Sequence, residues 1–466
     1  MSDRPPEITA HIASLVAEGD LGDDGPELRA LARRALVDTV ASTIAARNEP
    51  GVHALLRATA RDAGEGVSTI LTTGGRTSEA HAALVNGMAS HALDYDDVVD
   101  ALYGHPSAAM FPSLLAVAEQ EAASGRMLLD AYVIGFQVIC AVAAGLPIRK
   151  HYSRGWHSTA TVGVLGATAA LCRLLALPQT QVRRALGMAA SMASGSRQNF
   201  GTMTKPLHPG LAGRSAITAA RLAQEGFTAD ESQLEAPLGY FAMFGVDSDL
   251  AAVDAALDVR PWALRREGLN VKKYPCCYNT HRTADATLTL APVVREAGEQ
   301  VEAVRLAMEP GGFDPLIHHR PTTGLEGKFS AEYVVAAGLL DGHVGLDTFT
   351  DEAVARPEAQ DLLRKVEVAE HATPPFGPPE WVHAYVTLEV DVGGHTLRER
   401  VDIPRGDARA PLSDEEVDAK LRDCVAFSGS GWDADALLAE LHGLEALERF
   451  GGFAAITAGA VTGVLR

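Results

Sequence analysis

Positive charge is in short supply along this sequence. Against 60 aspartates and glutamates stand 40 lysines and arginines, a formal net charge of −20. Nucleic-acid phosphates need a basic face, so this balance argues against a nucleic-acid partner. Cysteine is sparse as well. Cys140, Cys172, Cys276, Cys277 and Cys424 are odd in number and lack zinc-finger spacing. Reduced thiols and a cytoplasmic setting are the expectation. No uninterrupted apolar run has the length to span a bilayer, so no membrane partner is expected. Met1–Glu7 lacks the basic start and apolar stretch of a signal peptide. A glycine-rich phosphate loop is missing too. What is present describes a soluble globular protein, with 47% hydrophobic and 21% charged residues. At 466 residues the chain exceeds one ordinary core, so two or more domains are expected. In a chain this acidic, a local gathering of lysine, arginine and histidine carries extra information.

Gly25-Pro26 reads as a helix start with proline at the first helical position. Leu28, Leu31, Ala35, Leu36, Val40 and Ile44 then recur at helical spacing, and Pro50 is expected to stop the run. Helical patterns, rich in alanine and glycine, continue over 79–91, 107–124, 127–146, 158–175, 179–194 and 213–224. Near residue 271 the texture changes. Val304, Leu306 and Met308 alternate with polar neighbours, as do Val366 and Val368, and Ala384 to Val390. Gly393-Gly394 then leads into Leu397, Val401 and Ile403, a hairpin signal. A helix is expected over 330–340. Ser413 with Glu416 forms a capping-box pattern, after which helices resume to the end. The fold expected is mainly α. A large all-helical domain is built from both chain ends (1–268 and 411–466), with a smaller α+β insert (269–410) carrying an antiparallel sheet.

Four polar segments interrupt the helical pattern: His91–Asp97 with Gly104–Ser107, Arg154–Thr159, Asn199–His208, and Lys272–Arg282. Proline restricts the residue before it, so Pro206 places Lys205, and with it His208, on a loop held by helices. Lysines and arginines can grip a substrate's carboxylates, and a neutralised carboxylate makes the adjacent C–H more acidic. A histidine titrating near neutrality can remove that proton while a second acid serves the leaving group or opposite face. Asp94 can orient such a histidine. The chemistry implied is proton abstraction alpha to a carboxylate, on a small anionic substrate and without a cofactor.

Competing readings stand beside this one. Asp94, Asp96 and Asp97 with His91 and His105 could serve as metal ligands, and the Asp94, Asp97 and His91 cluster could make a metal-dependent hydrolase. Asp96 and Asp97 read equally as solvated acids at a helix end. Cys276-Cys277 reads as a packing pair, and His318-His319-Arg320 as a solvated loop. A helical protein that binds without turnover also fits.

At these segments the sequence resembles the MmgE/PrpD family, which includes 2-methylcitrate dehydratase, cis-aconitate decarboxylase and iminodisuccinate epimerase. The stretches that carry the likeness are Asn86–Asp97, Gly104–Ser107, Gly155-Trp-His157, Gly201–His208, Lys272–Cys277 and Thr323–Ser330, in the family's order. The resemblance implies a helical domain from both chain ends, a lid-like α+β domain, a homodimer and a cofactor-free site. It points to Asp94, His105, His157, Lys205 and Lys272 as catalytic positions, with His208, Arg214, Cys277, Lys273 and Lys328 as substrate contacts. In that frame His157 is the general base, and Lys205 and Lys272 grip carboxylates. His105, oriented by Asp94, is the acid; the base and acid labels can be exchanged. The sequence also departs from the family. Val98 stands where cis-aconitate decarboxylases carry threonine, and Cys277 where they carry histidine. Leu211 and Arg214 differ from the arginine-first pattern of many bacterial relatives. The expected reaction is therefore dehydration of a hydroxy di- or tricarboxylate, with epimerisation or decarboxylation as alternatives.

Overall fold

The computed structural model describes residues 7–61, 63–298 and 300–453. Most of the segment behind the signal-peptide reading, and the last residues where helix was expected, lie outside that description. The chain divides into two units. Met1–Asn199, Met203–Leu269 and Ser413–Arg466 make one; Phe200–Thr202 with Asn270–Leu412 make the other.

The first unit is mainly helical rather than all-helical, since Ser68–Thr69 and Arg76–Thr77 pair as a short antiparallel sheet within it. Its elements used below are α1 (Gly25–Ala45), α2 (Glu79–Ala92), α3 (Pro106–Glu121), α4 (Gly125–Gly145), α5 (Gly163–Leu174), α6 (Gln179–Met192) and α7 (Thr204–Gln224). Small residues let them approach closely. A Cβ on Gly87 of α2 would lie 2.6 Å from the Cα of Gly210 on α7, so only glycine fits that crossing. The crossing brings the C-terminal end of α2 beside the N-terminal end of α7. Helix α4 has the length and apolar composition of a membrane-crossing helix, although no such span was expected. Most of it is buried inside the unit, and Asp130 and Gln137 interrupt its apolar surface.

Three helix expectations need correction. Pro50 does not merely stop a run; it opens the helix Pro50–Thr59, because a first-turn N–H needs no intrahelical partner. The 158–175 pattern is two helices, Ser158–Thr161 and α5, divided at Val162. There β-branched residues cluster, and the Thr161 hydroxyl donates to the His157 carbonyl. Lys205 and His208 are not on a loop. Both lie in α7, which starts at Thr204 rather than near 213. Pro206 is tolerated there because it falls within the first turn, where N–H groups have no i−4 carbonyl to reach. Pro209 then removes the donor that would bond the Lys205 carbonyl.

The second unit holds a four-stranded sheet, built from β1 (Val301–Met308), β2 (Val366–Glu370), β3 (Val386–Val392) and β4 (His395–Val401), in the order β2-β1-β3-β4. Antiparallel pairing, as expected, joins β1 to β3 and β3 to β4, while β2 adds to β1 in parallel. Gly393 and Gly394 form the β3–β4 turn with φ of 59° and 72°, the left-handed pair such a tight turn requires. The alternation sorts the faces. Leu306 pairs with Leu388 and Met308 with Val386, all buried. On the other face Arg305, Glu389 and Arg398 align across three strands. Helices α8 (His281–Ala297) and α9 (Ala331–Asp341) pack together, with α8 against the sheet. Ser330 caps α9 by accepting from the Tyr333 N–H. The last helix used here, α10 (Asp414–Ser428), returns to the first unit behind the capping box of Ser413 and Glu416.

Candidate active site

At the end of α2, His91 occupies the last turn and the chain then bends through Asp94, whose φ of 52° is left-handed. Aspartate is among the few side chains that tolerate this. Beyond the bend, both carboxylate oxygens of Asp96 lie 3.0 Å from His91 Nδ1. The same carboxylate lies 3.0 Å from His105 Nδ1. His105 precedes Pro106, which holds its backbone extended, and its N–H donates to Thr159 Oγ1 at 3.1 Å. Next to it, a Cβ on Gly104 would lie 2.8 Å from Thr159 Oγ1, so the close approach requires glycine.

Lys205 in the first turn of α7 brings its Nζ to 2.7 Å from Asp94 Oδ1, and His105 Nε2 lies 3.6 Å from that same oxygen. His157, before the short helix Ser158–Thr161, is fixed by its N–H to the Gly195 carbonyl at 3.1 Å. Its Nδ1 lies 2.9 Å from Nδ1 of His208, one turn after Lys205. In that bond one ring donates and the other accepts, so at least one of the two imidazoles is neutral. The His91 ring has its centroid 4.3 Å from that of His105 and 5.8 Å from that of His157. Four imidazoles, two carboxylates and one ammonium thus share a buried cluster.

Burial sets the charge states. It drives His91 down to about 3, against the pull of Asp96 and helped by the Lys205 charge. His208 falls to about 4, by burial first and Lys205 second. His157 lies well below its ordinary value through burial first, with His91, Lys205 and the other neighbouring histidines adding. These imidazoles are neutral near pH 7 and able to accept a proton. Asp96 is held well below the usual carboxylate value: burial opposes its charge, but His105 and His91 outweigh burial. Its neighbour Asp97 goes the other way, raised well above that value by burial and by the charge of Asp38. Ser107 Oγ donates to Asp97 at 2.5 Å and lies 2.7 Å from the Tyr132 hydroxyl.

Of the positions named from sequence, Asp94, His105, His157, Lys205 and His208 come together here. Arg214 lies exposed further along α7. Lys272, Lys273, Cys277 and Lys328 belong to the second unit. There the two motif stretches meet: the Cys277 N–H donates to the Lys328 carbonyl at 2.9 Å, and Lys328 Nζ donates to the Pro275 carbonyl at 3.1 Å. Lys272 is fully buried, and Lys273 is exposed with its ammonium 5.3 Å from the centre of the Tyr274 ring.

Two sequence readings change. Asp96 and Asp97 are not solvated; both are fully buried. Asp96, not Asp94, sits at His105 Nδ1, while Asp94 is paired with Lys205. Of the five residues in the metal reading, Asp97 is taken up by Ser107, while His91, Asp94, Asp96 and His105 converge, with candidate ligand atoms within 4.8 Å of one another. Lys205 already neutralises the negative charge that Asp94 would offer a metal, and a divalent ion beside it would meet an ammonium. Asp96 left one trace in the sequence, a dense acidic run directly after an apolar helix, where no nearby lysine or arginine neutralises it.

The comparisons with known proteins agree with the resemblance. The MmgE/PrpD N-terminal domain matches residues 10–252, and the MmgE/PrpD C-terminal domain matches residues 274–441. Cis-aconitate decarboxylase of Homo sapiens is 31% identical over 382 residues, covering 80% of this chain and 78% of that protein. The cis-aconitate decarboxylase of Mus musculus is 31% identical over 384 residues, 80% and 77% of the two chains. The cis-aconitate decarboxylase-like protein oryM of Aspergillus oryzae is 25% identical over 445 residues, 91% and 92% of the two chains. The chain belongs to the MmgE/PrpD family.

Proposed function

We propose that this chain is a lyase that acts without a cofactor on a small di- or tricarboxylate, through a carbanion alpha to a carboxylate. The observation that carries the reading is the buried cluster itself. Neutral imidazoles stand beside the Lys205 ammonium, which can attract an anionic substrate and stabilise charge that develops on it. Lys272 keeps the carboxylate-gripping role that the resemblance assigns it.

Loss of carbon dioxide from an unsaturated tricarboxylate is the first reading, supported by the similarity to cis-aconitate decarboxylases. As the C–C bond to the departing carboxylate breaks, its electron pair passes into the carbon skeleton, conjugated with a remaining carboxylate. An imidazole of the cluster that carries a proton then delivers it to carbon. Dehydration of a hydroxy di- or tricarboxylate is the second reading, favoured by Val98 and Cys277 in place of the decarboxylases' threonine and histidine. In it His157 takes the alpha proton and His105 protonates the departing hydroxyl.

One experiment separates these readings. The purified protein is incubated with cis-aconitate and, separately, with citrate-like hydroxy acids in heavy water, and followed by NMR with carbon dioxide trapping. Carbon dioxide release with one deuterium retained supports decarboxylation, and water loss with a new alkene signal supports dehydration. Deuterium exchange with neither loss points to epimerisation. No exchange and no loss across the panel would overturn the lyase reading.

A further inference from the structure

Helix α10, more than 200 residues after the last member of the cluster, sends Lys420 into the interior of the first unit. Its Nζ donates to the Tyr95 carbonyl at 2.6 Å, lies 2.6 Å from Asp38 Oδ1 on α1, and sits 3.6 Å over the centre of the Tyr95 ring. The Lys420 side chain is 3% exposed and that of Asp38 is fully buried. Removing an ammonium and a carboxylate from water is costly, and such pairs contribute little net stability compared with apolar residues of the same shape. Their location is more informative than their strength. Tyr95 lies between Asp94 and Asp96, the carboxylates that face Lys205 and His105.

We infer that Lys420 is a positioning residue: by gripping the Tyr95 carbonyl and ring it fixes the bend that aims Asp94 and Asp96 at the imidazole cluster. The bend needs such a hold. Asp94 is left-handed without being glycine, a conformation that aspartate tolerates at some cost and that its surroundings help to hold. On the near side, Asp94 and Asp96 face a lysine and two histidines of the cluster. On the far side Lys420 ties the peptide between them to α1 and α10. Asp97 adds a third tie, through Ser107. Lys420 acts through the peptide that carries the carboxylates facing the imidazoles.

The test replaces the pair together, Lys420→Met with Asp38→Asn, so that no buried charge loses its partner. Thermal melting establishes that the variant folds, and two readouts follow. With the histidines labelled with nitrogen-15, the ring N–H protons directed at Asp96 should shift or broaden relative to the parent protein. In the lyase assay, kcat should fall about 100-fold with KM changed less than about twofold, the signature of a misaimed group rather than lost binding. Lys420→Arg, which keeps a cation on the Tyr95 carbonyl, should retain the histidine signals and at least about a tenth of kcat. The kinetic arm rests on the lyase reading, whereas the histidine signals do not, so failure of one is distinguishable from failure of the other. Unchanged histidine signals in the double variant, or their loss in Lys420→Arg, would overturn the proposal.

Discussion

Two groups of charged residues in this molecule make opposite use of water. On the outer face of the sheet, Arg305 sits 2.8 Å from Glu389 and 2.6 Å from Asp391, and Arg398 sits 2.6 Å from Glu389. The Arg305 side chain is 42% exposed and that of Arg398 60%. Around the bend after α2, the side chains of His91 and Asp96 are fully buried at comparable separations. The geometry is alike and the setting is not. In the sheet, solvent screens every pair, and each contributes little to stability. In the buried cluster the same distances decide which group holds a proton. A protein keeps buried charges at such a cost where they serve chemistry or position the groups that do.

The difference can be tested from its strong end downward. Lys205→Ala should lower turnover by about 1,000-fold with the fold retained by circular dichroism, since it removes the charge that stabilises the developing carbanion. Near-normal activity would remove Lys205 from the mechanism. Acid should act next. The folded values of His91 and His208, about 3 and about 4, lie below the unfolded histidine value of about 6.5. Between those limits the unfolded chain binds more protons, so stability falls as pH drops through that window and levels off above it. Melting temperatures measured from pH 7 to pH 4 should show this decline, and His208→Gln should make it shallower. The sheet should respond least. Arg305→Met should change stability by only about 1 kcal/mol or less in denaturant titration. A much larger loss would mean that exposure is a poor guide to which charges matter here.

What the sequence made legible follows the range of the interactions involved. The helical spacing of Leu28 to Ile44, the Gly393-Gly394 turn and the Ser413–Glu416 cap are local signals, and each marks its element. Where several constraints compete, local rules mislead. Pro206 forbids helix only where an i−4 carbonyl awaits its missing N–H, and at the start of α7 none does. Asp96 looked solvated because nothing adjacent in sequence neutralises it. Its partners are His91, five residues back, and His105, nine residues on and just before Pro106, and only the packed helices bring them within 3.0 Å. Lys420 and Asp38 were invisible for the same reason, one lying near each end of the chain. The parallel seat of β2 is a long-range pairing that alternation alone does not encode.

The adjacent acids Asp96 and Asp97 offer the sharpest measurement, because both are fully buried and their carboxyls are shifted in opposite directions. Asparagine mimics the neutral acid that Asp97 favours but removes the anion that Asp96 supplies to His105. With Asp96→Asn and Asp97→Asn compared in one lyase assay, kcat should fall about 100-fold for the first and change less than about threefold for the second. Equal losses, or a greater loss at Asp97, would contradict the charge arrangement on which this account of the site depends.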